Sequence, residues 1–210
     1  MNNLSLSAVR LLDKLKKNGC PVCSAQDEAV DTYLENLFYE NVNNSAFRRE
    51  FERSGGFCAF HTNLVLKYGD PSGIAILYTG LISLRNELNA NRIDCRCCKI
   101  SKESQDRALN SIAELISKDA FYENITTDVL FCLRHYNLLA KRIPRSHQNE
   151  LISRQQAKLD ELSLLLRGVL RKMDYRSSHE KLSQHEKLAL TYAVKYFAGF
   201  AQLSECHVEG

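Results

Sequence analysis

Cys20-Pro21-Val22-Cys23 and Gly56-Phe57-Cys58-Ala59-Phe60-His61 decide how this chain is read. The first stretch offers two sulfurs from one tight turn. The second offers a sulfur and an imidazole three residues apart, a spacing that places both on one face of a helical turn. Taken together, Cys20, Cys23, Cys58 and His61 form a Cys3His ligand set for a tetrahedral metal, and zinc is the commonest occupant of such a set. A helix N-terminus next to these sulfurs would favour the thiolate form through its amide dipoles.

The pattern recurs once. Cys95-Arg96-Cys97-Cys98 is followed by Cys132-Leu133-Arg134-His135, with nearly the same chain length between the pairs as in the first half. Phe38-Tyr39-Glu40-Asn41 lies between the first two pairs, and Phe121-Tyr122-Glu123-Asn124 between the second two. The chain thus reads as an internal repeat of CxxC, helix and CxxH. Alignment of the halves selects Cys95, Cys98, Cys132 and His135 as the second Cys3His set. Cys97 is then a spare thiol, either a packed apolar residue or a reactive one; whether it replaces Cys98 stays open at this point. Four protein ligands would close each coordination sphere, which marks a structural rather than a catalytic site. Two zinc ions are the expected cofactors, with an iron–sulfur cluster as the alternative. Cys206 and His207 sit near the end of the chain and are read as tail.

The rest of the chain supports helices. It has 210 residues, only 3 Pro and 9 Gly, 44% hydrophobic and 25% charged residues, the balance of a globular protein. Helical periodicity is visible from Leu4 to Leu15, from Ser24 through Phe38, from Phe47 to Glu52, from Cys58 to Tyr68, and from Ser101 to Ile116. Ile74–Leu88 reads as a long apolar, central helix. Pro144 marks a boundary. Beyond it lie a helix from Gln148 to Met173 and a last one opened by the capping box Ser183-Gln184-His185-Glu186. No segment has strand periodicity. The expected architecture is all-α: a helical bundle of two metal-stapled units, 1–92 and 93–143, with a C-terminal helical segment, 144–210, packing on both.

The net charge of +3 does not by itself imply nucleic acid. Met1-Asn2-Asn3-Leu4 lacks the basic-then-apolar pattern of a secretory leader, and no run of about 18 apolar residues is present. The expected compartment is the cytoplasm, where thiols stay reduced and eight cysteines point to metal or redox chemistry rather than disulfides. No phosphate-binding glycine loop, GxSxG or HExxH occurs, so the reading leans against an enzyme and no catalytic residue is assigned. The basic residues between 141 and 176, among them Lys141, Arg142, Arg145, Arg154, Lys158, Arg167, Arg171 and Lys172, form a possible phosphate-binding face; a solvated helix face is the plainer reading. Tyr192, Tyr196 and Phe200 recur at helical spacing and read as core or as a helix-in-groove contact.

The CPxC motif, the Tyr-Glu helix, Phe47-Arg48-Arg49-Glu50-Phe51, the Gly56-Phe57-Cys58 and His61 motif, the Cys132/His135 pair, and the segment from Asp174-Tyr175-Arg176 to Ala198-Gly199 together resemble an uncharacterised prokaryotic family, a domain of unknown function. Arg96 and Cys97 depart from its pattern, standing where it has Pro-x inside the second CxxC. The resemblance supports the fold and the metal reading and implies no activity. The function expected from the whole is a zinc-binding helical module that contacts another protein as an adaptor or regulator. Its alternatives are a redox protein with iron–sulfur or oxidisable zinc–thiolate centres and a nucleic-acid-binding regulator.

Overall fold

In a computed structural model the residues described are 5–12, 14–16, 19–87, 94–118, 121, 129–174 and 180–199. They are all-α: α1 (Leu6–Leu12), α2 (Pro21–Asn36), α3 (Ser45–Arg53), α4 (Ala59–Tyr68), α5 (Pro71–Ser83), α6 (Arg96–Ser117), α7 (Leu133–Ala140), α8 (Arg145–Met173) and α9 (Gln184–Ala198). Lys14–Lys16 forms a 3-10 turn after α1. The extended pairing among the described residues is an isolated parallel bridge between Gly19 and Val129.

Two helices begin earlier than the periodicity predicts. Ser24-Ala25-Gln26-Asp27 reads as a capping box and the apolar rhythm suggests a start at Ser101, whereas α2 opens at Pro21, with Ser24 inside it, and α6 at Arg96. Both CxxC motifs therefore lie in a helical first turn. Pro21 suits that position, because the first amide of a helix needs no acceptor there. The helix expected over Ile74–Leu88 is shorter and less buried. It starts at Pro71, capped by the Asp70 carboxylate accepting from Gly73 N–H, and ends at Ser83. Leu77 and Leu81 are buried on it, but Ile82 is 63% exposed, so it lies along the core and does not thread it. The Phe-Tyr-Glu-Asn segment at Phe38–Asn41 falls in a π-helical turn, Leu37–Asn41, closed by Val42 N–H on Leu37 O at 2.9 Å. Tyr122, Glu123 and Asn124 of its second copy, and Phe200 of the aromatic stripe, lie outside the described residues, as do Cys206 and His207.

The chain divides into two compact units, one drawn from Met1–Ala25 with Asp106–Phe200, the other containing Gln26–Gln105. The second unit has a core of Val30, Leu34, Leu37, Phe51, Phe57, Val65 and Leu77, with the Cys95 and Cys97 side chains among them. In the first unit the α6 stripe Leu109, Ile112, Leu115 and Ile116 is fully buried. There α8 packs against α9 around Leu162 and Ala189, with Tyr192 and Tyr196 half-buried beside them. The Phe121 and Phe131 rings stack at 6.3 Å.

The expected Ser183 capping box is present. Ser183 Oγ accepts from Glu186 N–H at 3.2 Å, and Glu186 Oε2 accepts from Ser183 N–H at 2.6 Å. Glu186 Oε2 also accepts from Lys172 Nζ of α8 at 2.8 Å. The Lys172 ammonium and the Ser183 amide hold the Glu186 carboxyl down at about 2. A depressed carboxyl stabilises the fold fully above its unfolded value of about 4.3, and that stability fades as pH falls through the folded value. Thermal melts should show wild type losing stability between about pH 4.5 and 2. E186Q should be less stable than wild type at neutral pH, with the gap closing near pH 2.

Candidate metal centres

Each ligand pair occupies the same place in a helix. Cys58 is the N-cap of α4 and His61 its third residue; Cys132 and His135 stand likewise on α7. Cys20 and Cys95 immediately precede α2 and α6. Their carbonyls accept from Ser24 N–H at 3.1 Å and Lys99 N–H at 3.3 Å, the first bonds of each helix. Cys23 and Cys98 fall on those first turns. The three-residue spacing is thus the N-cap to third-residue spacing, which turns both side chains to one side of the helix end. Cys58 Sγ even accepts from His61 N–H at 3.4 Å, as a capping side chain does. Positive helix ends meet sulfur at every pair, which favours thiolate.

The pairs combine crosswise. Cys20 and Cys23 meet Cys132 and His135; Cys58 and His61 meet Cys95 and Cys98. The sequential sets expected from the motif order, Cys20/Cys23/Cys58/His61 and Cys95/Cys98/Cys132/His135, are corrected here: the same eight side chains come together, but each CxxC joins the CxxH of the other half. Two backbone ties give the reason. Leu130 N–H donates to Gly19 O at 3.4 Å beside the Gly19–Val129 bridge, so the strands entering Cys20 and Cys132 run side by side. Asp94 N–H donates to Ser54 O at 2.8 Å and sets the approach to Cys95 next to the loop that leads to Cys58. Glycines make both approaches possible. Gly19 has φ +96° and Gly56 φ +88°, a region that L side chains rarely adopt, and a Cβ on Gly56 would lie 2.9 Å from Leu81 Cδ1.

Within each set the ligand atoms lie within 4.8 Å of one another. His135 Nδ1 is 3.4, 3.3 and 3.2 Å from the sulfurs of Cys20, Cys23 and Cys132. His61 Nδ1 is 3.1, 3.4 and 3.4 Å from those of Cys58, Cys95 and Cys98. The sulfur pairs Cys23–Cys132 and Cys58–Cys98 are both 3.8 Å apart. A tetrahedron with metal–sulfur bonds of about 2.3 Å has sulfur–sulfur edges of about 3.8 Å. A disulfide would need about 2.05 Å. The spacing therefore fits one ion held by four ligands and does not fit a disulfide. Cys97 is outside this arrangement: it is fully buried in the core while Cys98 faces Cys58.

Electrostatics agree with a cation. The Cys20 and Cys23 thiols, through hydrogen bonds, and His135 pull the Cys132 thiol far down, whereas burial and the neighbouring sulfurs push Cys20 up. At the other set hydrogen bonds from Cys97 and Cys98 pull Cys95 down, and Cys97 is pushed up by Cys95 and by burial. Three sulfurs this close cannot all be thiolate by themselves; a divalent cation removes the conflict. His61 Nε2 is buried without a hydrogen-bond partner among the described residues, so Nδ1 is the ring nitrogen turned to the sulfurs. Two Cys/His clusters of this make-up suggest metal binding.

The two centres differ in cover. Cys20, Cys23, Cys132 and His135 are all buried, whereas Cys58 and Cys98 are half-buried. Supporting residues that motif reading misses stand around the buried centre. Gln155 of α8 is buried; its Nε2 donates to Phe131 O at 2.8 Å and its Oε1 accepts from Phe131 N–H at 3.3 Å. It thereby fixes the residue before Cys132. A glutamine on the apolar stripe Leu151, Leu159 and Leu162 was the available signal. Arg134, exposed between Cys132 and His135, has its charge opposed by desolvation and supported by the sulfurs of Cys132 and Cys23.

Residues 4–73 match a family of unknown function, DUF6062. The chain is also similar to an uncharacterised 23.9 kDa protein in the xynA 3′ region of Caldicellulosiruptor sp. (strain Rt8B.4), 27% identical over 209 residues, covering 90% of this chain and 99% of that protein. No solved structure matches.

The crossed grouping predicts a distinctive pattern of metal loss. C23S, C132S and the C23S/C132S double variant should each retain about one of two ions per chain, while C23S/C58S should retain about none; elemental analysis of purified protein reads this directly. Chelator should strip the half-buried centre first, giving a biphasic release curve that C58S reduces to its slower phase. Q155L leaves two buried backbone groups without partners at a cost of about 1–3 kcal/mol each. It should also weaken metal at the buried centre by about 10- to 100-fold in chelator competition.

Proposed function

We propose that this protein is a two-zinc helical module whose metal centres are structural and whose work is to contact another protein as an adaptor or regulator. The observation that carries the reading is the pair of closed four-ligand sets, each made from two helix N-termini. Cys20, Cys23, Cys132 and His135 would hold one ion, and Cys58, His61, Cys95 and Cys98 the other. When bound, zinc would offset two of the three thiolate charges, leaving each site at about −1, and tie two helix ends together, contributing on the order of 10 kcal/mol to folding in small modules of this kind. Four protein ligands leave no position for substrate. The conformity of all four pairs to one helix-end geometry supports the internal repeat.

The spacing favours a single ion over an iron–sulfur cluster. Ligands of a cluster bind separate irons and stand farther apart than ligands sharing one ion, whereas each set here lies within 4.8 Å. A protein partner is supported by apolar side chains left uncovered on α8 and α9: Leu164, Leu170, Met173, Val194 and Phe197 are 64–73% exposed, more than isolated surface residues need. The basic run supports nucleic acid less. Arg142 pairs with Asp106, Arg154 with Glu150, Lys158 with Glu161, Arg171 with Glu180 and Lys172 with Glu186, so much of that charge is already matched. Among the described residues no helix is long and apolar enough to cross a membrane. A cytoplasmic setting, where thiolates stay reduced, is part of this proposal.

Anaerobically purified protein should be colourless with about two zinc per chain, and chelation should collapse its thermal transition. A brown protein with visible absorption would contradict the zinc reading. For the adaptor role, a photo-crosslinking amino acid at Phe197 should capture a defined polypeptide in cells while one at Asn63 does not; equal or no capture would contradict it.

A further inference from the structure

Within the unit Gln26–Gln105 lies a cleft of ≈ 440 Å³ that the metal sets do not use. Its size is that of a small-molecule site. Tyr33, Phe47, Phe51 and Phe57 give it an aromatic wall; Phe51 and Phe57 are buried, with ring centroids 5.2 Å apart. Five charged residues also line it: Glu50, Arg53, Asp94, Arg96 and Lys99. Lys99 and Asp94 pair with each other. Arg53 Nε donates to Arg49 O at 3.2 Å. Among the described residues neither the Arg53 nor the Arg96 guanidinium has a carboxylate at ion-pair distance. The cleft therefore presents two guanidinium groups without a carboxylate partner against Glu50, beside the Asp94–Lys99 pair.

An exposed arginine without a partner is ordinary on a convex surface. Two of them lining one concave, aromatic-walled cleft are another matter, because an anion seated there is partly removed from water and guanidinium–carboxylate bonding strengthens. Tyr33 adds a phenol that burial, foremost, keeps protonated, with Arg96 and Glu50 in its field, so it is a donor at neutral pH. We propose that this cleft binds a small aromatic carboxylate. The ring lies against the Phe47, Phe51 and Phe57 wall, and the carboxylate takes bidentate hydrogen bonds from Arg96 or Arg53. Net positive lining selects the anion, and aromatic contacts add selectivity for a flat apolar body.

Arg96 is adjacent to Cys95, so its charge also falls on the sulfur set, and the test separates the two roles. Metal-replete full-length protein is titrated with benzoate and indole-3-carboxylate, and with the matching amides, by chemical-shift perturbation. The expected result is saturable binding of an acid, at least about tenfold weaker binding of its amide, and a similar loss in R96Q and in R53Q. R85Q, outside the cleft, should bind as wild type, and metal content should stay unchanged in R53Q. Absence of saturation with both acids, equal binding of acid and amide, or unchanged binding in R53Q and R96Q would overturn the proposal. So would an R96Q variant whose only change is lost metal.

Discussion

Two backbone hydrogen bonds decide which sulfurs meet. Leu130 N–H on Gly19 O brings the segment before Cys132 alongside the one before Cys20, and Asp94 N–H on Ser54 O does the same for the approaches to Cys95 and Cys58. Each approach ends at a helix N-terminus, and each helix presents its ligands from the N-cap and the third residue. Four helix ends, each with positive dipole and unsatisfied amides, are thus gathered in pairs around negative sulfur. Each compact unit of the fold contains one complete set. The organisation of the chain and the location of its candidate metal centres are one fact seen at two scales.

Much of this was legible in the sequence because the information is local. A three-residue spacing of Cys with Cys or His needs only one helical turn to become a ligand pair, and Ser183 with Glu186 needs only one turn to become a capping box. Alignment of the halves prefers Cys98 to Cys97 as the ligand, and it is Cys98 that joins a set, though with Cys58 and not with Cys132. The crossing was not legible. The sequential grouping closes the shorter loops, since the crossed one joins Cys23 to Cys132 across 109 positions, and the choice rests on contacts between distant backbone segments that no side-chain pattern records. The early starts of α2 and α6 were hidden for a related reason: their first turns are spent on ligands, so apolar periodicity begins only afterwards. Gln155 acts through a long-range contact to Phe131, and a polar residue on an apolar helix stripe marks it without saying what it holds.

In the proposed reading the metals consolidate the fold, and recognition is left to surfaces that carry no ligands. The uncovered apolar residues of α8 and α9 suit a macromolecular partner, and the cleft beside Arg53 and Arg96 suits a small anion. The unequal cover of the two centres adds a gradient of lability. Cys58 and Cys98 are half-buried, while Cys20, Cys23 and Cys132 are buried, so in this reading chelator and oxidant reach the first two more easily.

The central claim is the crossed grouping of eight ligands, and cadmium-113 NMR reads it without mutation. With ¹¹³Cd supplied as the metal, each bound ion couples through bonds to the β-protons of the cysteines that hold it. One cadmium signal should correlate with Cys20, Cys23 and Cys132, and the other with Cys58, Cys95 and Cys98. A signal joining Cys20 and Cys23 to Cys58, or the absence of any cysteine correlation, would contradict the account.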